Sequence, residues 1–258
     1  MKTFLQKAAL ALIAATVHAS VFASADYPSK PVRVVVPFLV GGGNDFLARD
    51  MSQIFQPILG QSFVVENKAG ASGMIGSDFV AKSVPDGYTI LMAANTAAIV
   101  DATVAKPLFS LERDLTGVGM VATMPMMLVV SKDLGVNTTT ELIQLAKSKP
   151  TALNYASSGP GSVQHMAGAL FAATAGVKLE HIPFKGASQM IPEVLANRVE
   201  VLIGPANSVL PFVRSGQLKA LGVTSKTRWS AMPEVPTLAE SGVTGYEIDL
   251  WYAVMAPT

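Results

Sequence analysis

Along most of the chain, short runs of β-branched and other apolar residues alternate with segments whose apolar residues recur at helical spacing. The first unit begins with VRVVVPF (residues 32 to 38), a run typical of a buried strand, and continues through three consecutive glycines. Five apolar residues then fall on one helical face: Leu47, Met51, Ile54, Phe55 and Ile58. The pattern predicts a strand, a glycine-rich loop and a helix.

The same order recurs in the second half of the chain, where LNYASS leads through the loop GPGS into a helical pattern that ends at Gly176. The other predicted strands are SFVVEN, GYTILMAA, MMLVVSK, HIPF, VEVLIG, LKALGVTS and IDLWYAVMAP. The other predicted helices are IGSDFVAKS, TTTELIQLAKSKP, QMIPEVLAN and SVLPFVRSG. The second of these helices opens with a capping box of Thr138 and Glu141.

This alternation predicts an α/β fold of mostly parallel sheets flanked by helices. Because the glycine-rich unit occurs twice, we expect two lobes rather than one continuous sheet. The first lobe is predicted to span residues 26 to 126 and the second lobe residues 127 to 247. Residues 248 to 258 are then expected to return to the first lobe.

The first 25 residues carry two lysines, an apolar run and a small-residue site, which together are typical of a secretory signal peptide cleaved after Ala25. The run is too short and wrongly flanked to span a bilayer. We therefore expect an exported protein located in the periplasm. Since the chain has no cysteine, its stability must come from burial rather than from disulfides.

Net charge excludes some partners. The 19 Lys and Arg residues include Lys2 and Lys7 of the signal segment, which leaves 17 against 18 Asp and Glu in the remaining chain. A charge near −1 provides no electrostatic surface for nucleic acid. Only His165 and His181 follow the signal segment, and two histidines without cysteine argue against a zinc site. No cofactor is expected.

The two glycine-rich loops are the best candidates for a binding site. Ligands of open α/β sheets bind at the carboxyl ends of strands, where helix N-termini present free N–H groups. Two such loops facing each other could hold an anion through backbone amides and hydroxyls. The candidate residues are Gly41, Gly42, Gly43, Asn44 and Asp45 in the first loop and Ser158, Gly159, Gly161 and Ser162 in the second.

Each of these residues also has a structural interpretation. Either loop alone is compatible with a simple tight turn, and Asp45 is as compatible with a helix cap as with a ligand contact. His165 lies in the first turn of a helix, where packing behind the loop is the simpler role. A further candidate segment, Gly204, Pro205 and Ala206, follows a strand and could line the cleft, and Lys185 could mark its rim.

Catalytic signatures are absent from the sequence. The motifs G-x-S-x-G, H-E-x-x-H and G-x-x-x-x-G-K-[ST] do not occur, and GGGND does not fit G-x-G-x-x-G. A rival hypothesis is an exported hydrolase that uses Ser158 or Ser162 with His165, but it lacks a nucleophile elbow and an acid partner. The sequence therefore favours binding without turnover.

Several motifs in order resemble the extracytoplasmic solute-binding receptors of tripartite tricarboxylate transporters, the Bug family. They are YPSKPVRVVVPF, GGGNDFLAR, VVENKAGASGMIGSDFVAKSVPDGYTIL, LNYASSGPGSVQHMAGALF, IPFKGA and LGVTSKTRWSAMPEVPTLAESG. The resemblance implies a two-lobed periplasmic binding protein of type II that closes on a small carboxylate and delivers it to membrane permease subunits. A ligand-sensing partner of a membrane signalling protein is an alternative role for the same fold.

The resemblance also implies further site residues and two departures. Phe38 and Ser157 join the two loops that hold the ligand carboxylate, and Asn95 and Thr96 line the cleft. Leu39 and Val40 stand where many relatives have Pro-Ala before the glycines. Gly204 stands where many relatives have Asp, which argues against a ligand amine at that position. Relatives continue past Thr258, so we expect apolar side chains of the first sheet to be exposed in this chain.

Overall fold

The computed structural model describes residues 27 to 258, and the predicted signal peptide and cleavage site lie outside them. The strands are β1 (Val32–Val36), β2 (Phe63–Asn67), β3 (Thr89–Ala94), β4 (Leu115–Ser131), β5 (Leu153–Ser157), β6 (Leu179–Pro183), β7 (Val201–Pro205), β8 (Leu218–Val223) and β9 (Asp249–Pro257). The α-helices are α1 (Gly43–Leu59), α2 (Met74–Ala81), α3 (Asn95–Thr103), α4 (Leu111–Asp114), α5 (Thr139–Ser148), α6 (Val163–Ala175), α7 (Ala187–Leu195) and α8 (Ala206–Arg214). The predicted α/β fold is confirmed.

The strands run in the order β2-β1-β3-β9-β4-β7-β5-β6, and β8 pairs with β4 beside this path. Three neighbouring strands are parallel at each end of the order, namely β2, β1 and β3 at one end and β7, β5 and β6 at the other. Strands β4 and β9 are antiparallel to their neighbours, so each sheet is mixed. The inner parallel strands β1, β3 and β7 are mostly apolar and buried because helices cover the sheets, whereas the edge strands β2 and β6 are largely half-buried or exposed.

Strand β4 joins the two sheets. It pairs with β9 as far as Pro125 and with β7 from Met126 onward, so the change of partner falls between two consecutive residues. The sequence places the crossing near residues 124 to 127. The predicted boundaries of the two lobes stay a prediction. That β4 belongs to both sheets follows directly from its strand pairing.

One buried hydroxyl group links β4 to the segment that leads into β9. Thr224, fully buried, accepts a hydrogen bond from Met126 N at 2.9 Å and donates to the carbonyl of Ile248 at 2.6 Å. The main-chain N–H of Thr224 also donates to Met126 O at 3.0 Å. The start of β9 and the crossing point of β4 are therefore held in one fixed arrangement by residue 224.

The apolar face predicted for α1 is only partly covered. Met51 is buried, but Ile54 is 59% and Ile58 71% exposed. Met51 and Ile54, together with the exposed Val118 and Met120 of β4, border an apolar groove. Apolar side chains of α1 and β4 are therefore exposed beside the first sheet.

Three elements differ from the sequence prediction. Strand β4 begins at Leu115, eleven residues before MMLVVSK, because the segment LTGVGMVATM pairs with β9 although it does not alternate. Helices α3 and α4 are also additional. Helix α3 follows β3 directly, with no Gly or Pro between them to mark the boundary.

The Thr138 cap predicted for α5 is present, since Thr138 Oγ1 accepts a hydrogen bond from Glu141 N at 3.1 Å.

Candidate functional site

The N-termini of five helices converge on one cavity between the two sheets. Helices α1, α3, α6, α7 and α8 each follow a strand, and each contributes residues from its first turn or the preceding loop to the wall. The first sheet contributes Phe38, Gly42, Gly43, Asn44, Ala94 and Thr96. The second sheet contributes Ser158, Val163, Gln164, Gly186, Ala187 and Pro205. The remaining wall residues are Met190, Leu250 and Tyr252.

The electrostatics of the cavity favour an anion. Among residues 27 to 258, no Asp, Glu, Lys or Arg lines it. The main-chain N–H groups of Gly43, Asn44 and Gln164, in the first turns of α1 and α6, donate no hydrogen bond within residues 27 to 258. Helix N-termini carry partial positive charge, so five of them around one space attract negative charge without any basic side chain. The chemistry that this cavity suits is the binding of a carboxylate-like group.

Residues of both glycine-rich loops line this cavity, and neighbouring elements of the two sheets are in contact around it. The N–H of Val163, the first residue of α6, donates to Thr96 Oγ1 at the start of α3, at 3.2 Å. Ser72 Oγ donates to the carbonyl of Pro160 at 2.7 Å. Gly186 lies against Leu39, with no room for a side chain between them. The structure therefore brings together the loops that the sequence singles out, whereas their ligand roles stay predictions.

Asp45 is buried beside the first loop but does not line the cavity. Its carboxylate accepts from Gly41 N at 3.1 Å, from both Arg49 Nε and Nη2, and from Asn67 Nδ2 at 3.0 Å. Burial opposes the charged form, but these hydrogen bonds outweigh it and lower the pKa of Asp45. The N-cap of α1 is Gly42, so Asp45 fixes the loop through Gly41 rather than capping the helix.

In the second loop, the hydroxyls hold the backbone. Ser157 Oγ accepts from Gly159 N at 3.0 Å, and Ser162 caps α6 by accepting from His165 N at 3.2 Å. Ser158, which lines the cavity, donates to Gln164 Oε1 at 2.9 Å. Of this loop, only Ser158 lies on the cavity wall.

His165 lies behind the loop. Its Nδ1 accepts from Gly161 N at 3.2 Å, and its ring lies 4.2 Å from that of His181. Within the described residues, this ring engages loop backbone and neither Ser158 nor Ser162. Ser157 shares a hydrogen bond with His181 but is fully buried, so that serine is inaccessible to a substrate. The serine and histidine geometry gives no support to hydrolysis.

The histidine pair makes stability depend on pH. Burial and the neighbouring His165 lower the pKa of His181 from its ordinary value of 6.5. Because folding favours neutral His181, its contribution to stability is present above pH 6.5 and is lost as pH falls through the lowered pKa. We expect urea unfolding to give a smaller free energy at pH 5 than at pH 7.5, with the difference reduced in His181→Gln. An equal difference in the variant would assign the pH dependence to other groups.

The other predicted site residues have varied positions. Asn95 does not line the cavity; its carboxamide donates to Asp249 O at 2.9 Å and accepts from Trp251 N at 3.0 Å, which holds the start of β9. Gly204 and Ala206 are buried off the wall on either side of Pro205, which does line it.

Sequence reasoning missed several wall residues. Gln164 lies one helical position from the candidate His165, and its side-chain NH₂ donates no hydrogen bond within the described residues. Gly186 lies in the IPFKGA motif, beside Lys185. Tyr252 comes from β9, where it pairs with Ala94 of β3, and burial raises its pKa. Only the motif around Gly186 gave a signal that could have been followed.

Two sheets joined by a shared strand, with helix N-termini directed into the space between them, define a solute-binding protein of the periplasmic type. A family model described as tripartite tricarboxylate transporter family receptor matches residues 47–258. The chain belongs to this family, and the resemblance seen in the sequence is confirmed.

Relatives and solved structures agree with this assignment. Protein BugT of Bordetella pertussis is 36% identical over 253 residues, which are 97% of this chain and 78% of that protein. The structure of the periplasmic binding protein BugD superposes with a TM-score of 0.86 at 33% identity, covering 90% of this chain and 78% of that one. An R. palustris protein with adipate gives a TM-score of 0.87 at 35% identity, with the same coverage of 90% and 78%.

A further structure, MatC from Rhodopseudomonas palustris, has bound malate and gives a TM-score of 0.84 at 29% identity over 90% of this chain and 79% of that one. None of the helices in residues 27 to 258 is long and apolar enough to cross a bilayer.

Proposed function

We propose that this protein is an exported receptor that captures a small carboxylate between its two sheets and delivers it to the permease subunits of a tripartite tricarboxylate transporter. The convergence of five helix N-termini on a cavity without charged side chains carries the proposal. The adipate and malate of the related structures are carboxylates, which supports the same ligand class here.

Binding requires the sheets to move apart. The cavity has a volume of about 30 Å³, which is room for roughly two water molecules. A carboxylate with its carbon chain needs more space than this, so ligand must enter an opened form and be enclosed as the loops approach. Strand β4 pairs in both sheets, so a hinge at its change of partner between Pro125 and Met126 would move one sheet against the other.

The wall also argues against an amine on the part of the ligand that enters this cavity. Gly204 carries no side chain, and no carboxylate of the described residues lines the space. A buried ammonium group needs an acidic partner or several acceptors to compensate its lost hydration. The ligand group held here is accordingly an acid without a neighbouring amine.

Addition of the right carboxylate should stabilise the protein by about 2.7 kcal/mol at a hundredfold excess over Kd. The measurement is a thermal-shift screen of mono-, di- and tricarboxylates and aromatic acids, followed by calorimetric titration of the compounds that raise the Tm. The amides of the same acids serve as controls, because they keep the shape and lose the charge. The ligand should be recovered unchanged.

Absence of any shift across the screen, or turnover of an ester or amide, would exclude the binding role. Delivery is tested separately by uptake of the labelled ligand into cells with and without this receptor. Uptake that depends on the receptor supports transport. Undiminished uptake, with a ligand-dependent change in gene expression that requires the receptor, would instead assign it to sensing.

A further inference from the structure

Two histidines hold the second glycine-rich loop from behind. His165 Nδ1 accepts a hydrogen bond from the main-chain N–H of Gly161 at 3.2 Å, and His181 Nε2 shares a hydrogen bond with Ser157 Oγ. Ser157 Oγ in turn accepts from Gly159 N at 3.0 Å. One imidazole therefore holds the end of the loop and the other holds its beginning, although neither ring lines the cavity.

Protonation of His165 at Nδ1 is incompatible with this arrangement. The contact with Gly161 N requires a lone pair on Nδ1, so this imidazole is neutral and carries its proton on Nε2. A proton added to Nδ1 would bring two N–H donors together, and the hydrogen bond that fixes Gly161 would be lost. His165 also lies in the first turn of α6, where the helix dipole disfavours a positive charge.

The surroundings of the histidine pair do not compensate an added proton. The ring centroids lie 4.2 Å apart, and burial together with the neighbouring His165 lowers the pKa of His181. Tyr155 of β5 packs against both rings, and burial raises its pKa, so it is neutral. Within residues 27 to 258, no carboxylate lies within 4.0 Å of either imidazole. The other titratable groups on the surrounding elements are Asp101 of α3, Glu180 of β6, Lys178 and Lys185 at the ends of β6, Glu200 before β7, and Tyr246, which donates to a carbonyl of α6.

We propose that His165 is a positioning residue, which holds the second loop in its ligand-binding form only while the histidine pair is uncharged, so that acid weakens anion binding. The inference rests on the proposed function and adds a dependence on protons. Ser158 and Gln164 line the cavity on either side of Gly161, so a displaced loop alters the wall. As pH falls through the range in which the pair gains its proton, affinity should fall by up to about tenfold per pH unit.

The sign of this pH dependence separates two roles for the histidines. A cationic imidazole behind the loop would by itself attract an anion in the cavity and raise its affinity in acid. Both rings lie off the cavity wall and are half-buried, so water screens part of that attraction. The loss of the hydrogen bond from Gly161 acts on the wall directly, and we therefore expect weaker binding in acid.

The experiment measures the affinities for adipate and malate by calorimetric titration at pH 7.5 and pH 5.0. His165→Asn is the decisive variant, because Asn Oδ1 occupies nearly the position of His Nδ1 and accepts from Gly161 N but gains no proton. Between the two pH values, the wild-type Kd should rise about tenfold more than that of His165→Asn. Protonation of the ligand itself is common to both proteins and cancels. His165→Ala, which lacks the acceptor, should bind about tenfold more weakly than the wild type at pH 7.5.

Met166→Asn is the matched control, since it introduces the same residue at the adjacent position of α6, where Met166 is 41% exposed. It should keep the wild-type pH dependence. A second measurement needs no ligand. In NMR spectra of the protein alone, the Gly161 amide resonance should shift with the same midpoint as the ring protons of His165, because the two groups share one hydrogen bond.

An equal change of Kd in the wild type and His165→Asn, or a gain of wild-type affinity in acid relative to this variant, would overturn the proposal while leaving the receptor function intact. A Gly161 amide resonance that does not follow the titration of His165 would overturn it whether or not an anion binds. Failure of every carboxylate to bind the wild type at pH 7.5 would instead exclude the receptor function, and the NMR titration would still decide the role of His165.

Discussion

Gly43→Ala should weaken carboxylate binding by about ten- to a hundredfold, the largest effect that we expect from a single methyl group. A Cβ at residue 43 would lie inside contact distance of the Tyr252 hydroxyl and 2.9 Å from its Cζ. The Tyr252 ring is 1% exposed and cannot swing into solvent. Either the ring or the first turn of α1 must shift, and both form the cavity wall. Calorimetric titration measures the loss.

Gly117→Ala in β4 is the control, because a Cβ there would meet no atom within 4 Å and the residue does not line the cavity. Ligand affinity in this variant should stay within a few-fold of the wild type. Removing the hydroxyl in Gly43→Ala/Tyr252→Phe should restore part of the affinity. Unchanged binding by a folded Gly43→Ala protein would show that the first loop does not contact the ligand.

Gly186→Ala should reduce ligand affinity chiefly by making dissociation faster. A Cβ at residue 186 would lie 2.8 Å from Leu39 Cβ and 2.9 Å from Leu39 N. Because the clash is between loops of different sheets, it opposes their approach more than it opposes folding of either sheet. We expect about a tenfold rise in the dissociation rate, measured by stopped-flow displacement, with little change in the urea midpoint of the protein without ligand.

A suitable control for this variant is Gly117→Ala in β4, where a Cβ would have open space and which is remote from the cavity. If Gly186→Ala lowers the unfolding midpoint as much as it lowers affinity, the contact with Leu39 belongs to the folded core and not to closure. Wild-type dissociation kinetics would mean that the loops bind ligand without meeting at this point.

Much of the fold follows from local pattern. The repeated order of strand, glycine-rich loop and helix predicts α1 and α6, because each unit is short and its signals are adjacent in sequence, and both helices line one cavity. The free N–H groups of Gly43 and Asn44 are a direct result of that order, since the first turn of any helix lacks internal acceptors. The anion binding that we propose for the site therefore has its basis in features that the sequence predicts.

The site features that the sequence did not predict depend on strand pairing between residues that lie far apart in the chain. Tyr252 reaches the wall only because β9 lies between β3 and β4. The roles of Asp45 and Asn95 were hidden for a related reason. Their positions in the sequence suggested site residues. Asp45, however, forms hydrogen bonds with Arg49, and Asn95 forms hydrogen bonds with the backbone of β9. Residue type and spacing cannot distinguish a ligand contact from the group that supports it.

The central place of β9 also determines how the chain can fold. Ala94 of β3 pairs with Tyr252, and Leu115 at the start of β4 pairs with Pro257, so the first sheet is completed only by β9, which follows every strand of the second sheet in sequence. Contacts between such widely separated residues require large loops to close before they are stabilised, and a high contact order slows folding. The first sheet cannot be finished until the second has been synthesised. Until β9 has been made, the first sheet therefore lacks a central strand while every strand of the second sheet is synthesised, and this incompletely folded state would suit the export that we propose.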